Sequence, residues 1–389
     1  MRNVFNTMVM NEKSSTIAAM WLFPLLRRAL WNESFEGVLS PKEFRSVLSL
    51  AEGQTVFGLV SDALEKIEVK GMHIESQITK LAILETIGRQ QQIRRQNALI
   101  NREQGDFADR CNQEGIEYLV VKGQTIGCLY PKPELRQAGD IDFLFPVDLT
   151  VGRDKDYEMQ RSKMAKIFPE VQLPPKMEEY EVAFNHNGVL YELHTSLRGW
   201  AKKRHQEVWD DLMEKEWKEK NYVEIDGVKV RTLSPTLNAA YVFIHLFFHF
   251  IREGVSLRQL CDWAVVLHHY NAEIDKDKLI RILLELDMFD AYCAFGTILV
   301  DELGLPKKEF PVSLDDNDRE WKGKILEDIF RGGNFGKLHH QAHSSWKFKV
   351  ETMCVALRNS FRYYRLCPSE VGGMIPRLLK GNLKILLAK

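Results

Sequence analysis

Two aspartates one residue apart, Asp140 and Asp142, stand in the short apolar run DIDFLF. In a β-strand alternate side chains point to the same face, so the two carboxylates project together from positions about 6.6–7 Å apart. Convergent carboxylates on a rigid strand suit a hard divalent cation such as Mg²⁺. Two such ions about 3.5–4 Å apart can hold both oxygens of an in-line displacement at phosphorus. The alternative is a pair of solvated carboxylates on an edge strand.

A third carboxylate normally completes a site of this kind, and the candidate is Glu192 in the segment VLYELHTS. It lies mid-strand among apolar neighbours, in a hairpin that we expect to lie alongside the DIDF strand. His194 is two positions further on and faces the same way. The alternatives are a surface glutamate and a hydrogen-bonded structural histidine.

The segment VVKG, which precedes the aspartates, predicts a strand that turns at Gly123. A helix that begins at Gln124 or Thr125 would point free N–H groups and its positive dipole end at an anion. Lys122 and Arg136 add positive charge. The alternatives are a solvent-facing lysine and an arginine that pairs with an aspartate to hold the loop. The candidate phosphate-binding residues are Lys122, Gly123, Gln124, Arg136 and His194.

The chain divides into a helical stretch, a stretch of strands and helices, and a second helical stretch. Residues 14–103 read as helical, and a long helix is predicted from Gln77 to near Gly115, with apolar residues three and four apart. Short β-type runs follow, with a helix around Arg153 to Phe168 between them. Asn-Gly and Asp-Gly pairs predict two tight hairpins, in YEVAFNHNGVLYELHTSL and NYVEIDGVKVRTL.

We therefore predict an α+β protein with a small mixed-sheet core, residues 105–233, between helical domains at residues 1–104 and 234–389. Ser234 and Pro235 predict the start of the last helical domain. The substrate cleft is expected between the core and these C-terminal helices. The basic tail, residues 375–389, reads as an amphipathic helix.

Several residues outside the core have two interpretations each. His245 and His249 are four apart on a helix, a spacing that suits zinc, but packing against the core is the favoured alternative. Arg258 and Asp262 are also one turn apart, and we expect an ion pair within the helix or between domains.

Composition excludes several classes of protein. Lys plus Arg total 53 and Asp plus Glu total 54, so a net charge of −1 argues against general nucleic-acid coating or stable DNA binding. The six cysteines form no CxxC pair, which indicates free thiols in a cytoplasmic protein. The longest apolar run, AAYVFIHLFFHFI, is too short to span a bilayer, and we find no signal peptide pattern. Neither a P-loop motif nor a G-x-S-x-G elbow is present.

These motifs together resemble the DNA polymerase β-like nucleotidyltransferase superfamily, in which a strand, a glycine turn and a helix precede a D-x-D pair. They resemble more closely its uncharacterised bacterial branch, with Lys-Gly, a LYP segment, R…GDIDFLF, an E-L-H strand and a later helix pair similar to HLFFHFIREGVSLRQLCDWAVVL. All occur here in order, over about residues 80–270. Metal-dependent glycosyltransferases also carry D-x-D, but after a longer nucleotide-binding α/β unit.

The resemblance implies that Asp140 and Asp142 bind two Mg²⁺ ions and that Glu192 helps to activate an attacking hydroxyl. Gly123 matches the glycine of the phosphate turn, and the implied nucleotide-binding residues are Lys122, Gly123, Gln124, Arg136 and His194. The chain departs from the superfamily at Gln124, where a serine is usual, and in having Glu rather than Asp as the third acid. The implied activity is transfer of a nucleoside monophosphate from a nucleoside triphosphate to a small molecule, an RNA or a protein, with release of pyrophosphate. The alternative is a catalytically inactive nucleotide-binding or scaffold protein that retains the fold.

Overall fold

The computed structural model describes residues 12–65, 77–176, 181–196, 199–333 and 345–376. Its architecture is mixed α+β, as the sequence predicts. The helices before the last hairpin are α1 Glu12–Trp31, α2 Pro41–Gly53, α3 Phe57–Leu64, α4 Gln77–Gln113, α5 Gly123–Gly127, α6 Arg153–Ile167 and α7 Lys203–Glu216. Those after it are α8 Pro235–Arg252, α9 Leu257–His269, α10 Lys276–Glu285, α11 Phe289–Asp301, α12 Asp316–Arg319, α13 Lys322–Gly332 and α14 Ser345–Tyr363.

A four-stranded mixed sheet forms the core unit. Its strands are β1 Leu119–Val121, β2 Asp140–Leu144, β3 Glu181–His186 and β4 Val189–His194, in the order β1-β2-β4-β3. β2 and β4 are parallel neighbours, whereas β1 and β3 run antiparallel to the strands they pair with. A separate two-stranded hairpin consists of β5 Asn221–Ile225 and β6 Val228–Thr232.

Both predicted hairpin turns are confirmed. Asn187 and Gly188 have φ of 49° and 80°, and Asp226 and Gly227 have φ of 48° and 82°. Two consecutive positive φ angles are the requirement of a type I′ turn, which Asn-Gly and Asp-Gly pairs meet with little strain. A two-residue turn also sets the register, so that Glu181 pairs with His194.

The long helix α4 ends at Gln113, and Gly115 follows with φ +63°, so the predicted helix end is confirmed. Its apolar stripe is buried only in the second half. Leu81 and Ile87 are 58% and 46% exposed, whereas Ile93 and Phe107 are buried. The second half is the part that packs on the sheet.

One face of the sheet is apolar and packs against α4 and α6. Alternate residues of the strands, such as Ile141 and Phe143 on β2, enter a hydrophobic cluster with Phe107 and Ile167. Burial of this aromatic-rich face is the main stabilising contribution in the core unit.

A second hydrophobic cluster combines the first and last helices of the chain. Trp31 Nε1 donates to the Leu303 carbonyl at 2.6 Å, and Gln54 Nε2 donates to the Ile329 carbonyl at 3.1 Å. Helices assigned to the two outer predicted domains therefore pack against each other. The domain boundaries themselves remain a prediction.

Helix α8 begins where the sequence predicts, with Ser234 at the N-cap position and Pro235 in the first turn. The Ser234 hydroxyl donates to Glu216 Oε2 at 2.7 Å instead of capping the helix. No helix in the described ranges is long and apolar enough to cross a membrane. Apart from its first two residues, the predicted tail helix lies outside the described residues.

Candidate functional site

The face of the sheet opposite the aromatic cluster carries the predicted acidic residues, and we call it the polar face. The parallel pairing of β2 and β4 places Asp142 directly opposite Glu192 and Leu144 opposite His194. The expectation that the E-L-H strand lies alongside the DIDF strand is therefore confirmed. Because side chains in register share a face, two carboxylates and an imidazole converge.

Asp142, Glu192 and His194 each offer one ligand atom, and these atoms lie within 4.8 Å of one another. His194 Nε2 is 2.8 Å from Asp142 Oδ1 and 3.8 Å from Glu192 Oε2. Carboxylate oxygens and an imidazole nitrogen are ligands for divalent cations, with oxygen suited to Mg²⁺ and imidazole to softer ions. This donor set fits a bound divalent cation.

Asp140 shares the polar face but is not part of this group of ligand atoms. Burial and then the negative charge of Asp142 raise the pKa of Asp140, while the positive charges of Lys122 and Arg258 oppose this effect. These cations come from the bend after β1 and from α9. Its role as a metal ligand remains a prediction.

Lys122 contacts the acidic cluster directly. Its Nζ is 2.8 Å from Asp142 Oδ1 and 3.4 Å from His245 Nε2 on α8. Burial alone would raise the pKa of Asp142, but the charge of Lys122 and the hydrogen bond from His194 outweigh it and lower that pKa. The carboxylate of Asp142 is therefore held ionised within a buried environment.

Glu192 is affected in the opposite direction. Burial, followed by the negative charges of Asp142 and Asp140, raises the pKa of Glu192 to about 8. A carboxyl group with this pKa is mostly protonated at pH 7 in the metal-free protein. A bound cation would favour its ionised form.

The bend between β1 and α5 has an unusual backbone. Lys122 has φ 56° and ψ −149°, a combination that is nearly restricted to glycine. Gly123 follows with φ 49°, and a Cβ there would lie 3.2 Å from the Asp140 carbonyl oxygen. The positive φ and this close approach to β2 explain why glycine is required at position 123.

Gln124 does not point toward the polar face. Its amide nitrogen donates to Asn97 Oδ1 at 3.1 Å and also to the Asn101 side chain, both on α4. The residue is 4% exposed. The side chain thus fastens α5 to α4, and its assignment to nucleotide binding remains untested.

Arg136 is also engaged elsewhere. Its Nε and Nη2 donate to the two carboxylate oxygens of Asp262 at 2.7 and 2.8 Å, and Tyr130 donates to the same aspartate at 2.6 Å. This is the loop-holding pair that the sequence left open as an alternative. It joins the segment before β2 to α9, and Asp262 is paired with Arg136 rather than with Arg258.

Three residues near the polar face were missed by sequence reasoning. They are Glu181, Arg258 and Tyr241. Glu181 Oε2 is 3.6 Å from His194 Nδ1. Burial raises the pKa of Asp140, whereas the charge of Arg258 acts to lower it. Burial also raises the pKa of Tyr241, and the charge of Lys122 acts to lower it. The Asn-Gly turn contained a signal for Glu181, since a two-residue hairpin pairs positions 181 and 194. No local pattern indicates which residues of α8 and α9 face the sheet.

Of the histidine pair on α8, His245 contacts the core unit, with its Nε2 3.4 Å from Lys122 Nζ. The rings of His245 and His249 have centroids 4.3 Å apart. Within the part of the chain that the structure describes, they are not members of a group of three metal ligands.

A family model described as uncharacterised nucleotidyltransferase matches residues 40–303, more than half of the chain. The chain belongs to this nucleotidyltransferase family. The matched segment includes the whole polar face, from Lys122 to Arg258. The comparison with curated proteins gives no significant match.

A solved structure, an antigenic nucleotidyltransferase-like protein from Paracoccidioides brasiliensis, is similar with 12% identity and a TM-score of 0.33. The match covers 57% of this chain and 97% of that chain. A similarity at this level supports no inference about this chain.

Proposed function

We propose that this protein is a divalent-metal-dependent nucleotidyltransferase with a DNA polymerase β-like core. It moves a nucleoside monophosphate from a nucleoside triphosphate to an acceptor and releases pyrophosphate. The observation that carries the proposal is the convergence of Asp142, Glu192 and His194 from two parallel strands, with ligand atoms within 4.8 Å of one another. The family match supports it independently.

The cation, Mg²⁺ in this proposal, is held by Asp142, Glu192 and His194, and Asp140 is assigned with Asp142 to a second ion. Bound cations supply positive charge that stabilises the phosphate oxygens in the transition state. The bend at Gly123 and the ammonium of Lys122 bind the β- and γ-phosphates of the nucleotide. Most of the catalytic effect then comes from positioning and charge stabilisation.

Glu192 is assigned as the base that takes the proton of the acceptor hydroxyl. The hydroxyl oxygen attacks the α-phosphorus, the bond from the α-phosphorus to the bridging oxygen breaks, and pyrophosphate leaves with the negative charge. Burial and the neighbouring aspartates raise the pKa of Glu192 to about 8 in the metal-free protein, and a bound cation lowers it again, so that Glu192 is ionised and can accept a proton near neutral pH.

The test is label transfer from α-phosphate-labelled nucleoside triphosphates, together with pyrophosphate release, in the presence of Mg²⁺ and candidate acceptors. Glu192→Gln should lower the transfer rate by about 10²- to 10⁴-fold, since it removes the base. Glu224→Gln, an exposed position on β5, is the matched control and should leave the rate unchanged. Transfer by the Glu192 variant at the wild-type rate would show that the assignment is wrong.

A nucleotide-binding protein without transferase activity is the second candidate. Asp142 Oδ1 already has two partners, Lys122 and His194, and Gln124 packs against α4 where a serine is usual in the superfamily. This candidate predicts Mg²⁺-dependent binding of one of the four nucleoside triphosphates in a calorimetric titration, with no label transfer to a small molecule, an RNA or a protein.

A further inference from the structure

Lys122 occupies a strained and enclosed position. Its φ of 56° with ψ −149° is unfavourable for a residue with a side chain. Its side chain is only 14% exposed. A glycine would satisfy this bend without strain, so the lysine side chain itself needs an explanation.

The ammonium of Lys122 contacts the oxygen that a cation would need. Asp142 Oδ1 lies 2.8 Å from both Lys122 Nζ and His194 Nε2. A cation held by Asp142, Glu192 and His194 would stand within a few ångströms of a positive charge in a buried environment. Like charges at such distances repel strongly where water is excluded. The ammonium and the cation therefore compete for Asp142.

The ammonium has other partners at hand on α8. His245 Nε2 is 3.4 Å from Lys122 Nζ. The hydroxyl of Tyr241 is buried and has no hydrogen-bond partner among the described residues, and its ring centroid lies 5.9 Å from that of His245. A long flexible side chain can leave Asp142 for these groups, and for a phosphate placed beside them, without moving the backbone.

We propose that Lys122 is an internal counter-ion of Asp142 that keeps the cation affinity low until nucleotide phosphates draw its ammonium away. The phosphate half of this inference rests on the proposed function, whereas the competition with the cation does not. Because energetic coupling between two ligands is reciprocal, the cation also favours the state in which the ammonium is free to bind phosphate.

The decisive experiment measures Mn²⁺ affinity of the nucleotide-free protein at constant pH, from the electron paramagnetic resonance signal of free Mn²⁺. Lys122→Met should bind Mn²⁺ about tenfold more tightly or better, since the variant leaves Asp142 buried without its cation. Lys122→Gly should show the same gain. Because glycine relieves the backbone strain at this position, this variant should fold even if Lys122→Met does not. Lys122→Arg retains the charge and should stay near the wild-type affinity.

Lys132→Met is the matched control. Lys132 lies in the loop before β2 and pairs with Asp62, away from the polar face. The same substitution there should leave Mn²⁺ affinity unchanged.

A second measurement follows nucleotide binding in the presence of EDTA, which avoids the formation of metal–nucleotide complexes in solution. Lys122→Met should bind each of the four nucleoside triphosphates about tenfold more weakly than wild type, because a phosphate ligand is lost. Opposite changes in the two affinities are the signature of the counter-ion role, and a merely structural lysine would lower both.

Each outcome decides one part of the inference. An unchanged or weaker Mn²⁺ affinity in the Met and Gly variants overturns the counter-ion role and leaves the transferase proposal to the label-transfer test. Tighter Mn²⁺ binding with unchanged nucleotide affinity overturns the phosphate half. Tighter Mn²⁺ binding with weaker nucleotide binding, in a protein that transfers no label, supports the counter-ion role and refutes the transferase. If neither wild type nor variants bind Mn²⁺, both proposals are wrong.

Discussion

The two faces of the four-stranded sheet are made by alternate residues of the same strands. One face is packed with aromatic rings, and the other carries paired charged side chains. On one face, Phe143 lies with its ring centroid 4.6 Å from Phe107 and 6.3 Å from Tyr191. On the polar face, Asp142 is equally buried but is bonded to Lys122 and His194.

The difference separates stability from chemistry. The aromatic face contributes through burial and ring packing, which favour folding. The polar face carries a glutamate with a raised pKa and a lysine with a strained backbone, both of which oppose folding. Functional sites commonly store unfavourable interactions of this kind, and here the opposite face offsets them.

The largest expected effect breaks the aromatic face. Phe143→Ala removes a fully buried ring from the centre of the cluster and should lower the free energy of unfolding by about 3–5 kcal/mol, measured by urea denaturation. Divalent-cation affinity of the folded fraction should change little, since Phe143 points away from Asp142. A loss below about 1 kcal/mol would show that this face does not stabilise the core unit.

Asp142→Asn tests the buried ion pair on the polar face and should cost the metal-free protein about 3 kcal/mol, because Lys122 loses its counter-charge. The same substitution in a Lys122→Met background should cost clearly less. Urea denaturation of the four proteins in EDTA gives the coupling energy as a double-mutant cycle. Additive costs would mean that the two side chains do not interact energetically.

Glu192→Gln should make the metal-free protein more stable at alkaline pH. A carboxyl whose folded pKa is raised to about 8 binds its proton more tightly in the folded state, so stability falls as pH rises from the unfolded pKa, near 4.5, through about 8. The variant lacks this loss and should exceed wild type by about 1–2 kcal/mol at pH 9, with a smaller difference at pH 5. Urea denaturation in EDTA at both pH values checks this, and the reverse pH trend would contradict it.

The smallest effect is expected from Tyr241→Phe. The substitution removes a buried hydroxyl without a partner among the described residues and keeps the ring. The free energy of unfolding should stay within about 0.5 kcal/mol of wild type or rise slightly. A cost above about 2 kcal/mol in the same urea assay would mean that the hydroxyl has a stabilising partner in the metal-free protein.

The sequence by itself determined the local geometry of the site. Strand alternation in DIDFLF puts Asp140 and Asp142 on one face and Ile141 and Phe143 on the other, and the structure follows this pattern. The Asn187-Gly188 pair predicts the hairpin that presents the E-L-H strand. These features could be predicted because a strand repeats every two residues and a type I′ turn requires positive φ at both central positions.

Only the tertiary structure decided the partners of the charged side chains. Arg136 meets Asp262 across 126 residues, and Lys122 meets His245 across 123 residues. Gln124 was predicted at the phosphates, yet its amide contacts Asn97 on α4. Such contacts depend on how α4, α8 and α9 pack around the sheet. Packing of distant elements follows the total burial of apolar surface, which leaves no local pattern around any one charged residue.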